Sequence, residues 1–354
     1  MIDAIFHFPT DGTPKDCVQI KSGHINHTYL ITTDTGVRYI LQWINQFVFP
    51  HVDKLMHNMS AISEYLRAQG EGSSAMIRYI DTLDGQSYYN DGQGGAWRIY
   101  RFVDNSICLQ HPETTEDFCE CGRAFGAFHY ALRDFPVGQL EETIVNFHNT
   151  VDRYRQLREA VRENRASRLD EVGEEIAFLL EREERACQLH QMREAGLLPL
   201  RATHNDTKIN NVLFHDVTRK AICVIDLDTV MPGLSAFDFG DAIRFGASTA
   251  AEDEPDLRKV RLDLELYRAF THGFCEQCPS LTEEELRALP LGAFTMSLEC
   301  GMRFLTDYLN GDVYFAVDRP KQNLDRAHTQ FKLVQEIERC WDSLTSIIRE
   351  ETGA

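Results

Sequence analysis

The change from strand-like to helical patterning near residue 104 restricts the fold of this chain more than any other feature of its sequence. The residues before it form short segments rich in β-branched and aromatic side chains, separated by turn signals, and predict a strand meander. One amphipathic helix is expected within it, over Val52 to Gln69. The residues after it are patterned as helices, with capping signatures at Thr114 and Thr282. This order predicts an α+β fold, with a β-rich N-terminal lobe over residues 1–104 and a mostly α-helical C-terminal lobe over residues 105–354.

A short strand-rich stretch interrupts the helical part between residues 200 and 230. Val212 to Phe214 and Ala221 to Leu227 are predicted to pair through a hairpin turn, and the loop Met231–Gly233 is expected to close the hairpin. Towards the C-terminus, an apolar stripe from Phe331 to Leu344 predicts a final helix. The second lobe should therefore be helical with one small β insertion.

The charge of the chain limits its partners. Its 36 Lys and Arg against 55 Asp and Glu give a net charge of −19, which opposes binding to nucleic acid or an anionic membrane because both require a basic face. The ten cysteines follow no regular spacing and are expected to be reduced thiols. The sequence shows no signal peptide and no apolar run of membrane-spanning length, so we expect a cytoplasmic protein.

A polar segment beside the predicted hairpin carries the residues that phosphoryl transfer requires. The reaction needs a carboxylate that accepts the proton of the attacking hydroxyl, oxygen ligands for magnesium, and a cation near the transferred group. In His204–Asn211 an Asp and an Asn stand five positions apart, and the returning strand ends in Ile-Asp-Leu-Asp. Asp206 is the candidate base and Lys208 the candidate cation. Asn211 and Asp226 are the candidate Mg²⁺ ligands.

Each of these residues also has a structural interpretation. Asp and Asn beside a hairpin are commonly turn and cap residues, and His204 is predicted to be a buried scaffold residue. Function is favoured for Asp206, Asn211 and Asp226 together, because unrelated turn residues need not reproduce this spacing. Asp228 would share one side of an extended strand with Asp226, where it would either assist the metal or contact the substrate.

The order His-x-Asp-x-x-x-x-Asn, hairpin, Ile-Asp resembles the catalytic and metal-binding loops of the aminoglycoside phosphotransferase and choline kinase group, which shares the protein-kinase-like fold. Longer segments resemble the bacterial N-acetylhexosamine 1-kinases, namely Gly23–Asn26, Phe237–Asp241, Arg244–Ser248, Cys300–Phe304 and Gly311–Phe315. The resemblance implies a two-lobed protein-kinase-like fold, with ATP as co-substrate and Mg²⁺ as cofactor. It also implies transfer of the γ-phosphate to the anomeric hydroxyl of N-acetylglucosamine or N-acetylgalactosamine.

The segment Asp238-Phe239-Gly240 spells the magnesium tripeptide of protein kinases, but it lies too far beyond Asn211 to serve as the metal ligand. Asp226 is therefore the preferred ligand. Asp238 is expected to cap the next helix or to brace the catalytic loop, as the corresponding acid does in the resembled group.

The first lobe departs from the wider family at two places. Gln42 stands where protein kinases carry a lysine on the third strand, and the preceding loop over residues 22–27 has a single glycine. His24, Asn26 and Lys208 remain as candidates for holding the triphosphate. Alternatively, His24 and Asn26 face the sugar or only shape a turn.

Adenine is expected between the lobes, against the segment that contains Arg101 and Val103. The backbone groups of such a hinge bond a purine edge irrespective of the side chains, so the sequence leaves ATP and GTP undistinguished.

Arg303 and Tyr314 are the candidate sugar ligands, because the resemblance extends over their surroundings and both offer hydrogen-bond donors. Alternatively, Arg303 pairs with Asp307 one helical turn away, and Tyr314 belongs to the core. The competing functions are a kinase for choline, homoserine or an aminoglycoside, and a catalytically silent nucleotide-binding relative. The sequence does not distinguish N-acetylglucosamine from N-acetylgalactosamine.

Overall fold

The computed structural model describes residues 2–20, 26–70 and 76–353, and its N-terminal part is built on an antiparallel sheet. The strands of this sheet are β1 (Pro14–Ile20), β2 (His27–Thr33), β3 (Arg38–Trp43), β4 (Tyr79–Ile80), β5 (Tyr89–Asn90) and β6 (Ala96–Arg101). Their order is β1-β2-β3-β6-β4, and β5 also pairs with β6. The inserted helix is α1 (Val52–Ala68). The predicted strand meander with one helix is confirmed.

The two faces of this sheet meet different surroundings, because successive side chains along a strand point to opposite sides. Leu41 on β3 is paired with Ile99 on β6, and both belong to a small core that includes the N-terminal segment. The neighbouring pair, Gln42 and Arg98, lies on the opposite face, where Arg98 reaches α1. The sheet therefore presents one polar pair towards the remainder of the protein.

The remainder of the chain is mostly helical and includes two small sheets. Strands β7 (Ser106–Cys108), β9 (Val212–His215) and β10 (Ala221–Val224) form one sheet, and β8 (Arg201–Thr203) pairs with β11 (Met231–Gly233) in the other. The helices are α2 (Thr115–Ala131), α3 (Thr150–Glu163), α4 (Gly173–Glu181), α5 (Glu183–Ala186), α6 (Gln188–Glu194), α7 (Ser235–Gly246), α8 (Leu264–Gln277), α9 (Glu283–Asn310), α10 (Gln322–Arg339) and α11 (Trp341–Thr352). A sheet lobe followed by a helical part confirms the predicted α+β class.

Both capping signatures begin a helix in the structure. The Thr114 hydroxyl accepts the N–H of Asp117 at 3.2 Å, and the Asp117 carboxylate accepts the N–H of Thr114 at 3.0 Å. Thr282 and Glu285 make the same reciprocal pair of bonds at the start of α9. Such caps satisfy backbone donors that a helix leaves unpaired at its N-terminus, which is why these two helix starts can be located from sequence.

Helices α7 and α9 approach each other closely at two glycines. A Cβ atom on Gly240 would lie 2.2 Å from the carbonyl oxygen of Gly292, and one on Gly292 would lie 2.0 Å from the carbonyl oxygen of Ala236. No side chain fits at these distances. The contact holds α7, which follows the candidate catalytic loop, directly against α9, which carries Arg303.

Three predicted segments differ from the structure. The returning strand does not reach Leu227; it ends two residues before Asp226, because Asp226 adopts a left-handed conformation (φ 60°, ψ 60°) that an extended strand does not contain. The segment Met231–Gly233 is a strand paired with β8 rather than a loop. The apolar stripe over residues 331–344 spans two helices that meet at Cys340.

The ten cysteines lie within the described residues, and all of them are free thiols. A bilayer-spanning helix would need a long apolar stretch, and no helix in the described ranges has one.

Candidate active site

The loop that follows β8 carries Asp206 and is held from behind by the carboxylate of Asp238 in the first turn of α7. Asp238 accepts the backbone N–H groups of His204 and Asn205, each at 2.7 Å, and lies 2.8 Å from Nε2 of His129. Burial raises the pKa of Asp238, but His129 and His204 outweigh it and hold the pKa below its usual value. Asn205 has a φ of 63°, which is uncommon outside glycine and needs such support. The prediction that Asp238 braces this loop is confirmed.

His204 is a scaffold residue, as predicted. It is completely buried, with the rings of Phe125 and Phe128 at 5.3 and 5.9 Å, and its Nε2 lies 2.9 Å from the carbonyl oxygen of Ile225. The N–H of Ile225 donates to the carbonyl oxygen of Asn211 at 2.9 Å. These bonds tie the loop to the turn that follows β10.

Asp206 has the surroundings of a proton acceptor. Its Oδ1 lies 3.0 Å from Nζ of Lys208, and its Oδ2 accepts a hydrogen bond from Nδ2 of Asn211 at 2.9 Å. Burial raises the pKa of Asp206, but Lys208 foremost, with His204 and Asn211, outweighs burial and holds the pKa below its usual range. The carboxylate is therefore ionised, and 26% of the side chain is exposed, so a substrate hydroxyl can reach it.

Asp226 lies where carboxylates crowd together. Burial and the charges of Asp228 and Asp206 raise its pKa to about 7, while Arg98 and Lys208 act in the opposite direction. A bound divalent cation relieves repulsion of this kind, because it is the largest local charge in such a site. The electrostatics of Asp226 therefore fit a metal ligand.

Asn211 offers the second ligand for a metal ion. Its amide nitrogen is committed to Asp206, which leaves the amide oxygen for coordination. Within the described ranges, no three His, Cys, Asp or Glu side chains are grouped so that they could hold a metal by themselves. Mg²⁺ is usually bound by one or two carboxylates together with phosphates and water. Asp226 and Asn211 therefore fit an Mg²⁺ ion that arrives with a nucleotide.

Asp228 lies in a buried contact between the N-terminal sheet and the turn after β10. One of its oxygens lies 2.5 Å from Nη1 of Arg98, and the other accepts a hydrogen bond from Asn26 at 2.6 Å. The amide oxygen of Asn26 accepts the N–H of Asn45 at 3.0 Å. Asn26 and Asp228 thus bind each other, and their roles in nucleotide and sugar binding stay predictions. Asp226 and Asp228 do not share one side of an extended strand, because the strand ends at Val224 and the left-handed backbone of Asp226 breaks the alternation.

The structure brings Arg303 and Tyr314 together at the C-terminal end of α9. The guanidinium of Arg303 lies 5.9 Å from the ring centroid of Tyr314 and 5.4 Å from that of Phe147. Tyr314 is 55% exposed, so it is not a core residue. Asp307 does not pair with Arg303; its carboxylate accepts the backbone N–H groups of residues 313–315 at 2.9 to 3.0 Å. Asp307 therefore shapes the loop that carries Tyr314.

Two residues that were not among the sequence-based candidates, the buried Glu299 and the partly buried His148, connect α9 to the candidate catalytic loop. Glu299 accepts a hydrogen bond from Thr150 at 2.8 Å and lies 3.1 Å from Nδ1 of His148. Nε2 of His148 lies 3.1 Å from the carbonyl oxygen of Asn205. Burial raises the pKa of Glu299, but His148, Arg153 and Thr150 together lower it to about 2. An acid within a largely apolar stretch of a long helix is the sequence signal that points to such a residue.

The predicted hinge is the segment around Arg101 and Val103, which joins the N-terminal sheet to the helical part of the protein. The Arg101 side chain is exposed and lies 3.7 Å from a carboxylate oxygen of Asp11, and the carbonyl oxygen of Val103 accepts a hydrogen bond from Ser106 at 2.6 Å. Adenine contacts through the backbone of Arg101 and Val103 stay a prediction. His24 lies outside the described residues.

Residues 16–273, well over half of the chain, match the phosphotransferase enzyme family, APH. The matched range contains both the loop around Asp206 and the turn at Asp226. The chain therefore belongs to this phosphotransferase family.

Solved structures of small-molecule kinases share the fold over most of their length. The microcompartment-associated aminopropanol kinase is 17% identical, with a TM-score of 0.67 and 97% of each chain covered. An aminoglycoside phosphotransferase from Alicyclobacillus acidocaldarius is 16% identical, with a TM-score of 0.65 and coverage of 98% of this chain and 96% of that chain. An amicoumacin kinase in complex with AMP-PNP and Ca²⁺ is 15% identical, with a TM-score of 0.59 and coverage of 93% and 89%. The predicted protein-kinase-like fold is confirmed.

Proposed function

We propose that this phosphotransferase is a kinase that uses ATP and Mg²⁺ to phosphorylate the anomeric hydroxyl of N-acetylglucosamine or N-acetylgalactosamine. The loop around Asp206 supports the phosphoryl chemistry. The observation that supports a sugar as the acceptor is the guanidinium of Arg303, which has no carboxylate partner in the described parts of the chain. Arg303 lies on α9, the helix that Glu299 and His148 connect to the loop around Asp206.

The residues of the loop have the charges that the reaction requires. Asp206 would take the proton of the sugar hydroxyl while the hydroxyl oxygen forms a bond to the γ-phosphorus. The bond between that phosphorus and the β–γ bridging oxygen breaks in the same step. Burial lowers the pKa of Lys208, but the charges of Asp206 and Asp241 raise the pKa by more than burial lowers it. Lys208 therefore stays charged and would offset the charge of the transferred phosphoryl group. Mg²⁺ bound at Asn211 and Asp226 would supply charge stabilisation at the β- and γ-phosphates.

The charges beside Arg303 favour a neutral acceptor over a cationic one. Burial lowers the pKa of Arg153, and the nearby charge of Arg303 lowers it further. The guanidinium of Arg153 donates to Gln156 and to the carbonyl oxygen of Phe147, so it acts here through its charge. Two adjacent guanidinium groups would repel an ammonium group, whereas Arg303 can donate hydrogen bonds to hydroxyl and acetamido oxygens. A neutral N-acetylhexosamine would offer such oxygens to Arg303.

The second candidate is a kinase for another small alcohol, such as choline, homoserine or an aminoglycoside. The similar structures include kinases for aminopropanol and an aminoglycoside phosphotransferase, and a net charge of −19 would attract cations. A catalytically silent relative is disfavoured, because Asp206, Asn211 and Asp226 are assembled around one turn and one loop.

An ATP-consumption assay with a panel of acceptors tests the proposal. The panel contains N-acetylglucosamine, N-acetylgalactosamine, choline, ethanolamine, 1-amino-2-propanol, homoserine and kanamycin. We expect Mg²⁺-dependent consumption with the two N-acetylhexosamines only. Consumption confined to acceptors that carry an amino or ammonium group would overturn the sugar assignment and establish the second candidate. Binding of AMP-PNP without turnover of any acceptor would favour the silent relative.

A further inference from the structure

Gln42 stands on the third strand, where protein kinases carry a lysine, and it contacts a buried arginine on the adjacent strand. Gln42 on β3 is paired with Arg98 on β6, and its Oε1 accepts a hydrogen bond from Nε of Arg98 at 3.0 Å. The guanidinium of Arg98 is completely buried, and the ring of Tyr79 covers it with its centroid at 4.7 Å. A charge buried this deeply is costly unless a partner compensates it.

The compensating charge comes from the other part of the protein. Nη1 of Arg98 lies 2.5 Å from Oδ1 of Asp228, and the two side chains are 0% and 4% exposed. Asn26, which precedes β2, donates a hydrogen bond to the other carboxylate oxygen of Asp228. The N-terminal sheet and its adjoining loop therefore hold Asp228 from two directions.

One short turn joins this ion pair to the candidate metal ligand. Asp226 has left-handed backbone angles and is followed at once by the 3₁₀ turn Leu227–Thr229, which contains Asp228. A non-glycine residue keeps such a conformation only where its surroundings fix it. Fixing Asp228 from the sheet therefore fixes the orientation of Asp226.

We propose that Arg98 supplies the buried cation that the third strand lacks, and that it positions Asp226 through its ion pair with Asp228. The inference rests on the proposed kinase function. In protein kinases the strand lysine pairs with a glutamate from a helix. Here α1 offers Arg98 the sulfur of Met59, and the acid comes from the turn that begins at Asp226. Arg98 is a positioning residue that links the sheet to the metal-binding turn.

The test compares nucleotide binding with and without metal in a variant that removes both charges. Removing one partner alone would leave an unpaired buried charge and could unfold the protein. The double variant Arg98→Met with Asp228→Asn leaves no such charge. The amide oxygen that the second substitution places at position 228 can still accept the hydrogen bond from Asn26. Calorimetric titration with AMP-PNP in Mg²⁺ and in EDTA then gives the affinity gained from the metal.

A positioning role predicts a selective loss. The gain in AMP-PNP affinity due to Mg²⁺ should fall about tenfold or more in the double variant, the size of effect typical of residues that orient metal ligands, while affinity in EDTA changes less than about twofold. The control Arg182→Met with Glu338→Gln removes a bidentate pair between α10 and the residue that follows α4, with both bonds at 3.0 Å, and should leave both affinities unchanged.

Three outcomes oppose the inference. A double variant that keeps the wild-type gain from Mg²⁺ would overturn it and leave the kinase proposal standing. Equal loss of affinity with and without metal would assign Arg98 a purely structural role. Wild-type protein that fails to bind AMP-PNP with Mg²⁺ would overturn the kinase proposal as well.

Discussion

Replacing Glu299 with Gln removes a buried negative charge that stabilises the fold and supports the candidate catalytic loop. The pKa of Glu299 is about 2 in the folded protein, against an ordinary value of 4.5. Because the folded pKa is the lower one, the stabilisation is fully present above pH 4.5 and is lost as the pH falls towards 2. The difference of about 2.5 units corresponds to about 3 kcal/mol of unfolding free energy at neutral pH.

Urea unfolding of the wild type and Glu299→Gln, at about pH 7 and pH 3.5, measures this contribution. We expect a stability difference of about 3 kcal/mol at neutral pH that narrows by roughly 1 kcal/mol at the lower pH. Glu338→Gln, at a partly exposed ion pair, is the control and should show no such narrowing. A difference that is equal at both pH values would refute the reasoning.

The same variant should also slow catalysis. His148 connects Glu299 to the carbonyl oxygen of Asn205, which precedes the candidate base. Small displacements of a reacting group cost large factors in rate, so kcat at neutral pH should fall about tenfold or more. The KM for ATP should be unchanged. A normal kcat in a folded Glu299→Gln variant would show that this connection does not position the loop.

Three further substitutions separate the roles in the candidate site. Asp206→Asn should lower kcat by about a hundredfold or more while AMP-PNP still binds, because it removes proton acceptance but little volume; near wild-type turnover would contradict the base assignment. Asp226→Ala should abolish the gain in nucleotide affinity due to Mg²⁺, measured by calorimetry, and a retained gain would exclude it as a ligand. Arg303→Met should raise the KM for N-acetylglucosamine about tenfold or more and leave that for ATP unchanged; the reverse pattern would place Arg303 at the nucleotide.

Local sequence signals located much of the fold. The reciprocal caps at Thr114 and Thr282 involve residues three positions apart, so they are visible in a short window. The strand meander and the helix Val52–Ala68 follow from short-range patterns as well. The loop from Asp206 to Asn211 was found for the same reason, because its hydrogen bond joins residues five positions apart.

The contacts that complete the candidate site join distant parts of the chain, and no local pattern shows them. Arg98 and Asp228 are brought together by the packing of the sheet against the turn after β10. His148 and Glu299 meet across 151 positions. The left-handed conformation of Asp226 depends on such surroundings, so an extended strand was predicted through it.

The central claim is that the loop around Asp206 places phosphate on the anomeric oxygen of an N-acetylhexosamine. Nuclear magnetic resonance of the product formed from N-acetylglucosamine tests it most directly. We predict that the phosphorus couples to the anomeric proton of the sugar. Coupling to the methylene protons at C6 would contradict this claim, although the protein would remain a sugar kinase.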